Sequence, residues 1–265
     1  MIPGMLSPSV RRTGPRPARH RLATRIAAVL VLRHVATVLA LLATVRPSRA
    51  ATLSELLAGV EANTRLPSAA RADVRIECGE ACTASGRRAI FLGRGDVLFV
   101  EIEGGQRALL RPGRILIARG GKAAEAGVGE PFGDTDLLLQ DLVPFTASSL
   151  KLPQISDEGP AGVVVTAAPA GPSPYALLVD TIDPERRTIV RTLYYRDFVN
   201  NLSKTRRDGG FVRIAGGLRP GTIEVESVRQ ATRTRLALSW QDAPDAPAEL
   251  FEPGGLEKPS GLRWP

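Results

Sequence analysis

The sequence predicts a mainly β chain with a few helices, its antiparallel strands gathered into a single sandwich or barrel. Three observations carry this. An apolar/polar period of two recurs in short runs between residues 96 and 240. Tight-turn pairs such as Gly104-Gly105 and Pro112-Gly113 separate neighbouring runs, as hairpins require. No alternation of strand and helix patterns supports a parallel nucleotide-binding sheet.

The first fifty residues stand apart. They hold nine arginines, both histidines (His20, His34) and no carboxylate. They lead into Val35–Val45, eleven apolar or small residues, then Pro47 and the small-x-small sequence Ser48-Arg49-Ala50. A basic start, a short apolar run and small residues before a cleavage point are the parts of a secretory signal. Residues 1–50 are therefore expected to be a cleaved signal peptide and the mature chain to be periplasmic. The alternative is an uncleaved inner-membrane anchor, since Ile26–Val45 approaches membrane-spanning length. Arg33 and His34 argue against it, because a central arginine costs about 2.5–3.5 kcal/mol on insertion.

Residues 52–66 read as a helix. Thr52 and Glu55 form a capping box, and Leu53, Leu56, Leu57 and Val60 recur along one face until Pro67 ends it. Strands follow at Asp96–Glu103, Gln106–Arg111 and Arg114–Arg119, with Gly93-Arg94-Gly95 as a hairpin turn before them. After a Gly/Ala-rich loop, Gly120–Gly133, Asp134 or Thr135 can cap a short helix over 134–143, with Leu138, Leu139 and Leu142 pointing one way and Pro144 as its stop. Later strands are expected at Val163–Ala168, Tyr175–Asp183, Thr188–Arg196, Leu202–Asp208, Phe211–Ala215, Thr222–Arg229 and Arg233–Trp240. In the last two, Ile223/Val225 and Leu236/Leu238/Trp240 alternate with polar or small residues, as in a sheet with one face buried. The body is thus assigned to 51–258, with 259–265 as a C-terminal tail.

Charge and composition exclude several functions. The whole chain carries +8. Without the first fifty residues, 26 basic residues face 27 acidic ones, so no surface for nucleic acid is expected. Residues 51–265 contain no histidine, which removes Ser-His-Asp and Cys-His catalysis. Cys78 and Cys82 lack the partners of a zinc site and, in an oxidising compartment, read as a disulfide. Asp134, Asp136 and Asp141 lack calcium-loop spacing, and a solvated helix start accounts for the first two. Lys204-Thr205-Arg206-Arg207 reads as the polar face of a strand and its turn. No catalytic residues, metal, cofactor or enzymatic activity are expected.

The order of pieces resembles a known family. A leading helix and strand run precede Thr135-Asp136-Leu137 and Asp141-Leu142; Tyr175, Val179 and Ile182-Asp183 precede Leu193-Tyr194-Tyr195-Arg196-Asp197 and Leu202-Ser203-Lys204; Thr234-Arg235-Leu236 leads to Ala248-Glu249-Leu250-Phe251 and Leu256-Glu257-Lys258. This is similar to the outer-membrane lipoprotein-sorting proteins, the LolA/LolB-like family, in the branch associated with large membrane exporters. It departs where Leu138 and Leu139 stand in place of a serine and an aromatic residue, and where Asp134 replaces a glycine.

The resemblance implies an incomplete antiparallel β-barrel, a LolA-like half-barrel, covered by short helices around a hollow that holds acyl chains in transit. Leu98, Val100, Ile102, Ile115, Ile117, Leu178, Leu236 and Leu238 are its candidate lining, with Leu138, Leu139 and Leu142 on the covering helix. Two functions follow. The favoured one is a monomeric periplasmic carrier that moves lipoprotein acyl chains or another lipid toward the outer membrane. The alternative is an accessory domain that docks on an inner-membrane transporter without carrying lipid; it predicts a packed interior and an exposed apolar patch.

Overall fold

The computed structural model describes residues 52–79, 82–197 and 200–264. The export segment read in residues 1–50 lies outside them. The first element, helix α1 (Leu53–Thr64), starts as the sequence predicts: the Thr52 hydroxyl accepts from the Glu55 N–H and the Glu55 carboxylate accepts from the Thr52 N–H. It ends two residues early because the chain is already extended at Arg65.

Fifteen strands follow among the described residues: β1 (Leu66–Cys78), β2 (Arg88–Gly95), β3 (Val97–Ile102), β4 (Arg107–Arg111), β5 (Arg114–Arg119), β6 (Lys122–Glu125), β7 (Leu150–Gly159), β8 (Gly162–Pro169), β9 (Leu177–Asp183), β10 (Thr188–Tyr195), β11 (Leu202–Gly209), β12 (Val212–Ile214), β13 (Gly217–Arg219), β14 (Thr222–Ser227) and β15 (Thr232–Asp242). Thirteen of them form one antiparallel sheet in the order β6-β5-β4-β3-β2-β1-β15-β14-β11-β10-β9-β8-β7. β12 and β13 form a separate hairpin. The expected strand at Phe211–Ala215 is therefore β12, outside the main sheet. The first and last strands, β1 and β15, pair side by side in the middle, from Ala70↔Asp242 to Cys78↔Thr234. The sheet is open: β6 and β7 are its two edges.

Five strands go beyond those that alternation marks: the three-residue β13, and β1, β2, β6 and β7. β2 is buried on both faces, so its Ile90-Phe91-Leu92 core is a continuous apolar run without a period. β7 is an exposed edge containing Pro153, polar along both faces. β6 sits inside the Gly/Ala-rich loop. In β1, apolar Ala72, Val74 and Ile76 alternate with Arg71, Asp73, Arg75 and Glu77. That signal is clean; Pro67 and the small residues before it obscure it.

The pairing register defines one inner face. It carries Ile115 and Ile117, Leu110, Leu98, Val100 and Ile102, Phe91, then Val74, Leu238, Leu236 and Ile223. Continuing across the sheet, the same face presents Asp208, Arg206, Lys204, Thr192, Tyr194, Leu178 and Asp180, and finally Val163 and Val165. Helix α1 lays Leu56, Leu57 and Val60 against Val165 and Ile182 on this face. On the outer face, the C-terminal segment covers the other half of the sheet. Leu250, Phe251 and Leu256 bury Ile90, Leu92, Phe99, Leu109 and Leu116. Residues 259–264 continue that cover: Leu262 and Trp264 pack against the same cluster, and the Ser260 hydroxyl bonds to Glu101.

Because consecutive strands β6 and β7 sit at opposite edges, the link between them, residues 126–149, must cross the sheet. It exceeds the roughly 12–15 residues above which structureless loops in compact domains are usually functional. Its Phe132, Leu137, Leu139 and Leu142 enter the inner apolar cluster, Phe132 edge-on to Phe91 at 5.7 Å between ring centres. Here the short helix expected over 134–143 is corrected. Only one 3-10 turn, Leu139–Leu142, forms, and Asp134 caps no helix. Instead its carboxylate accepts from the Thr83 hydroxyl and the N–H groups of Thr83 and Ala84, beside the Cys78–Cys82 disulfide. These hydrogen bonds outweigh what desolvation the carboxyl suffers and hold its pKa below the ordinary value.

The disulfide thus steadies a loop that receives the start of the crossover. A loop this short gives about 2 kcal/mol in the chain-entropy view. Cys78→Ser should lower the melting temperature under oxidising conditions by a matching amount. Adding reductant to the wild type should reproduce that loss in a thermal melt monitored by circular dichroism.

Candidate functional site

Between the inner face, α1 and the crossover lies a cavity of about 800 Å³. Its apolar wall includes Val60, Phe91, Leu98, Leu142, Leu238 and Trp240. Of the residues the sequence marks as lining, Leu98, Ile115, Leu142, Leu178 and Leu238 reach the cavity. Val100, Ile102, Ile117, Leu139 and Leu236 lie on the same inner surface but are enclosed in the packed apolar cluster. Leu138 is placed differently. In a helix it would share a face with Leu142; in the extended chain before the 3-10 turn it pairs with Pro131 and is half-buried, while Leu137 takes the core position.

The far side of the cavity is charged, which the alternation does not reveal. β11 turns Lys204 and Arg206 inward, so Lys204-Thr205-Arg206-Arg207 is not simply a solvated strand face and turn. Lys204 forms a short ion pair with Asp141 of the crossover, the two side chains being 5% and 1% exposed. The ammonium also donates to the Asp136 carbonyl at 3.2 Å and lies about 5 Å from the rings of Tyr175 and Tyr194. Asp141 accepts further from the Tyr175 hydroxyl and from the Leu138 N–H at 2.7 Å. Arg206 donates from Nε and Nη2 to the two Asp208 carboxylate oxygens, each at 2.7 Å, and from Nη1 to the Asp141 carbonyl. Burial works against its charge, but Asp208 more than restores it, and its pKa is raised. Asp136 completes the set, accepting from the hydroxyls of Thr232 (2.6 Å) and Thr234 (2.9 Å) on β15.

Asp134, Asp136 and Asp141 are therefore anchors, each gripping a different part of the body. The solvated-helix account of Asp134 and Asp136 is corrected accordingly. No cluster of three or more metal-ligating side chains occurs among the described residues.

Asp180 is different: it is buried, and its named partner is the Thr192 hydroxyl at 2.6 Å. Burial pushes its carboxyl up to about 6, although Thr192 pulls the other way. In the unfolded chain the same group titrates near pH 3.9. The unfolded state thus ionises first, and this group costs stability as pH rises from about 4 through 6.

Two predictions follow from these charges. Asp180→Asn should melt higher than wild type at pH 7.5, by up to about 3 kcal/mol in unfolding free energy, and the difference should fade by pH 4. Lys204→Met should cost about 3–5 kcal/mol by stranding Asp141, and Lys204→Met with Asp141→Leu should recover much of it. Denaturant titration of the single and double variants measures both terms.

No family model matches the sequence, and no curated protein does either. Solved structures do match in shape. A LolA superfamily protein from Nitrosomonas europaea superposes with a TM-score of 0.61 at 16% identity, over 77% of this chain and 98% of that one. A DUF1329 family protein from Desulfovibrio piger gives 0.62 at 13% identity, over 76% and 95%. A putative outer-membrane lipoprotein-sorting protein domain from Vibrio parahaemolyticus gives 0.58 at 12%, over 77% and 97%. This chain therefore has the LolA-like fold, an open antiparallel half-barrel.

Proposed function

We propose that this protein is a non-enzymatic periplasmic carrier that holds the acyl chain of a lipoprotein or another lipid within its half-barrel and moves it toward the outer membrane. The observation that carries the reading is the cavity of about 800 Å³, walled on one side by apolar side chains and crossed by a long tethered segment. Its volume lies within the roughly 300–1,000 Å³ common for small-molecule sites. An acyl chain leaving water gains about 0.8 kcal/mol per buried methylene, so a dozen methylenes contribute about 10 kcal/mol before ordering costs. The LolA-like shape supports the same class of function. Export of the chain rests on the signal pattern in residues 1–50.

The accessory-domain alternative calls for a contiguous exposed apolar patch. Among the described residues the large exposed apolar side chains are Val128, Leu152, Ile155, Val212 and Val228. They fall on the crossover, β7, β12 and the turn after β14, which favours the carrier.

Protein purified from its native host, extracted and analysed by mass spectrometry, should yield acyl lipid near one per protein; lipid-free protein that also fails to take up lipid in vitro would refute the carrier. Leu142 is the residue to change, because it lies on the crossover and on the cavity wall. Leu142→Asp should reduce retained lipid at least about tenfold, since a carboxylate in the path of the chain must be desolvated. Circular dichroism should still report a folded sheet.

A further inference from the structure

Among the described residues, three buried side-chain polar atoms lack a hydrogen-bond partner: Arg111 Nε, Thr188 Oγ1 and Arg219 Nε. All three belong to residues that line the cavity. Arg111 uses its Nη2 on the Phe251 carbonyl and the Glu252 carboxylate, so its charge is answered. Arg219 is not so provided. It closes β13, is 8% exposed, and no hydrogen bond or ion pair to its guanidinium is found among the described residues. Its guanidinium carbon lies 5.8 Å from the centre of the Trp240 ring, while Trp240 spends its own N–H on the Pro220 carbonyl. Gly93, on the inner face of β2, leaves room for the Leu66 side chain, which a Cβ there would meet at 2.5 Å, and that Cβ would lie 3.9 Å from Arg219 Nη2.

The contrast with the rest of the cavity is sharp. Lys204 and Arg206 are each matched by a carboxylate, Asp141 and Asp208. Arg219 has only an aromatic face, and burial alone drags its pKa down, to about 10, which leaves it charged at neutral pH. A buried cation without a counter-charge is costly to fold and is well placed to receive an anion from outside.

We propose that Arg219 is the seat for the anionic head of the cargo, a carboxylate or phosphate group carried on an acyl chain that lies along the Leu238 and Trp240 wall. This rests on the carrier reading and narrows it. Of the two cargo classes, it favours an anionic lipid over acyl chains that end in neutral ester or amide linkages.

The test compares hexadecanoate with hexadecan-1-ol, equal in chain length and different in charge, on delipidated wild type, Arg219→Met and Arg219→Lys. Phosphatidylglycerol dispersed in detergent supplies the phosphate head, and inorganic phosphate supplies the anion without a chain. Wild type should prefer hexadecanoate or phosphatidylglycerol to the alcohol by at least about tenfold, the scale of a charge-assisted hydrogen bond. Arg219→Met should lose the preference while still binding the alcohol, and Arg219→Lys should retain part of it. Without lipid, Arg219→Met should melt at or above the wild-type temperature, since it removes an unanswered charge; a structural arginine would give the opposite.

Equal binding of acid and alcohol by wild type would overturn the head-group seat and leave the carrier standing. Inorganic phosphate binding as tightly as the lipids would make this a free-anion site and overturn it as well. If none of the amphiphiles binds wild type, the carrier reading falls, and this proposal with it.

Discussion

The structure turns on the crossing of the half-barrel by residues 126–149. An antiparallel sheet whose consecutive strands β6 and β7 end up on opposite edges cannot be completed by hairpins. The chain must travel the width of the sheet, and it does so over the inner face, with the C-terminal segment on the outer face of β2–β5. Once there, the segment brings polar backbone into an apolar setting, where every unmade hydrogen bond is expensive. Groups on the wall answer that demand, the Thr234 hydroxyl accepting from the Asp136 N–H while Lys204 and Arg206 donate to the Asp136 and Asp141 carbonyls, and the three aspartate side chains anchor the segment. Asp134 takes the N–H groups beside the disulfide, Asp136 takes two threonine hydroxyls, and Asp141 takes an ammonium, a tyrosine hydroxyl and its own local N–H. Between these anchors, Phe132, Leu137, Leu139 and Leu142 fill the gaps against the wall.

This arrangement also explains why a space remains. The crossover is held by carboxylates to partners at fixed positions on β11, β15 and the 82–84 turn, so it cannot settle further onto the sheet without breaking charged contacts. Helix α1 occupies the other end, against β8 and β9. The wall facing these two covers is apolar on the β1–β5 and β15 side and ionic on the β9–β11 side. A hollow of this kind has two unlike surfaces, one that gains by shedding water and one whose charges already answer each other.

How much of this was legible in the sequence follows from what alternation can report. A strand with one wet face writes a period of two, so β14 and β15 stand out, and the capping box fixes the start of α1. Strands buried on both faces, such as β2, lose the polar beat, and an edge such as β7 loses the apolar one. At the cavity, the branched residues of the inner wall were readable because they share that period. Lys204, Arg206, Asp180 and Asp208 were not: their positions have the parity of inner residues, but a charge at such a position looks like an outward one unless its partner is known. Those partners come from Asp141 for Lys204, from Thr192 on β10 for Asp180 and from within β11 for Arg206 and Asp208, and for the first two only the topology brings them together. The misplaced helix at 134–143 has the same root. Asp134 and Thr135 are good cap residues by type, but tertiary hydrogen bonds to residues 83 and 84 claimed Asp134, and the tether of Asp136 to β15 kept the chain extended.

Charge pairing separates the groups that hold the fold from those that can serve a ligand. The Asp141–Lys204 and Arg206–Asp208 pairs are formally neutral and lock the crossover to the wall; an incoming lipid gains nothing by displacing them, since each would be left with an unmatched buried charge. Asp180 relieves its own position in another way: burial raises its pKa to about 6, so the carboxyl keeps its proton to about two pH units higher than a carboxylic acid in water would. Arg219 has neither remedy: a guanidinium does not surrender its proton near neutral pH, and among the described residues it has a ring beside it but no hydrogen-bond acceptor for its Nε. Its imbalance persists for as long as the cavity is empty. The inner surface is therefore greasy over most of its area, electrically closed along β11, and open to an anion at one point.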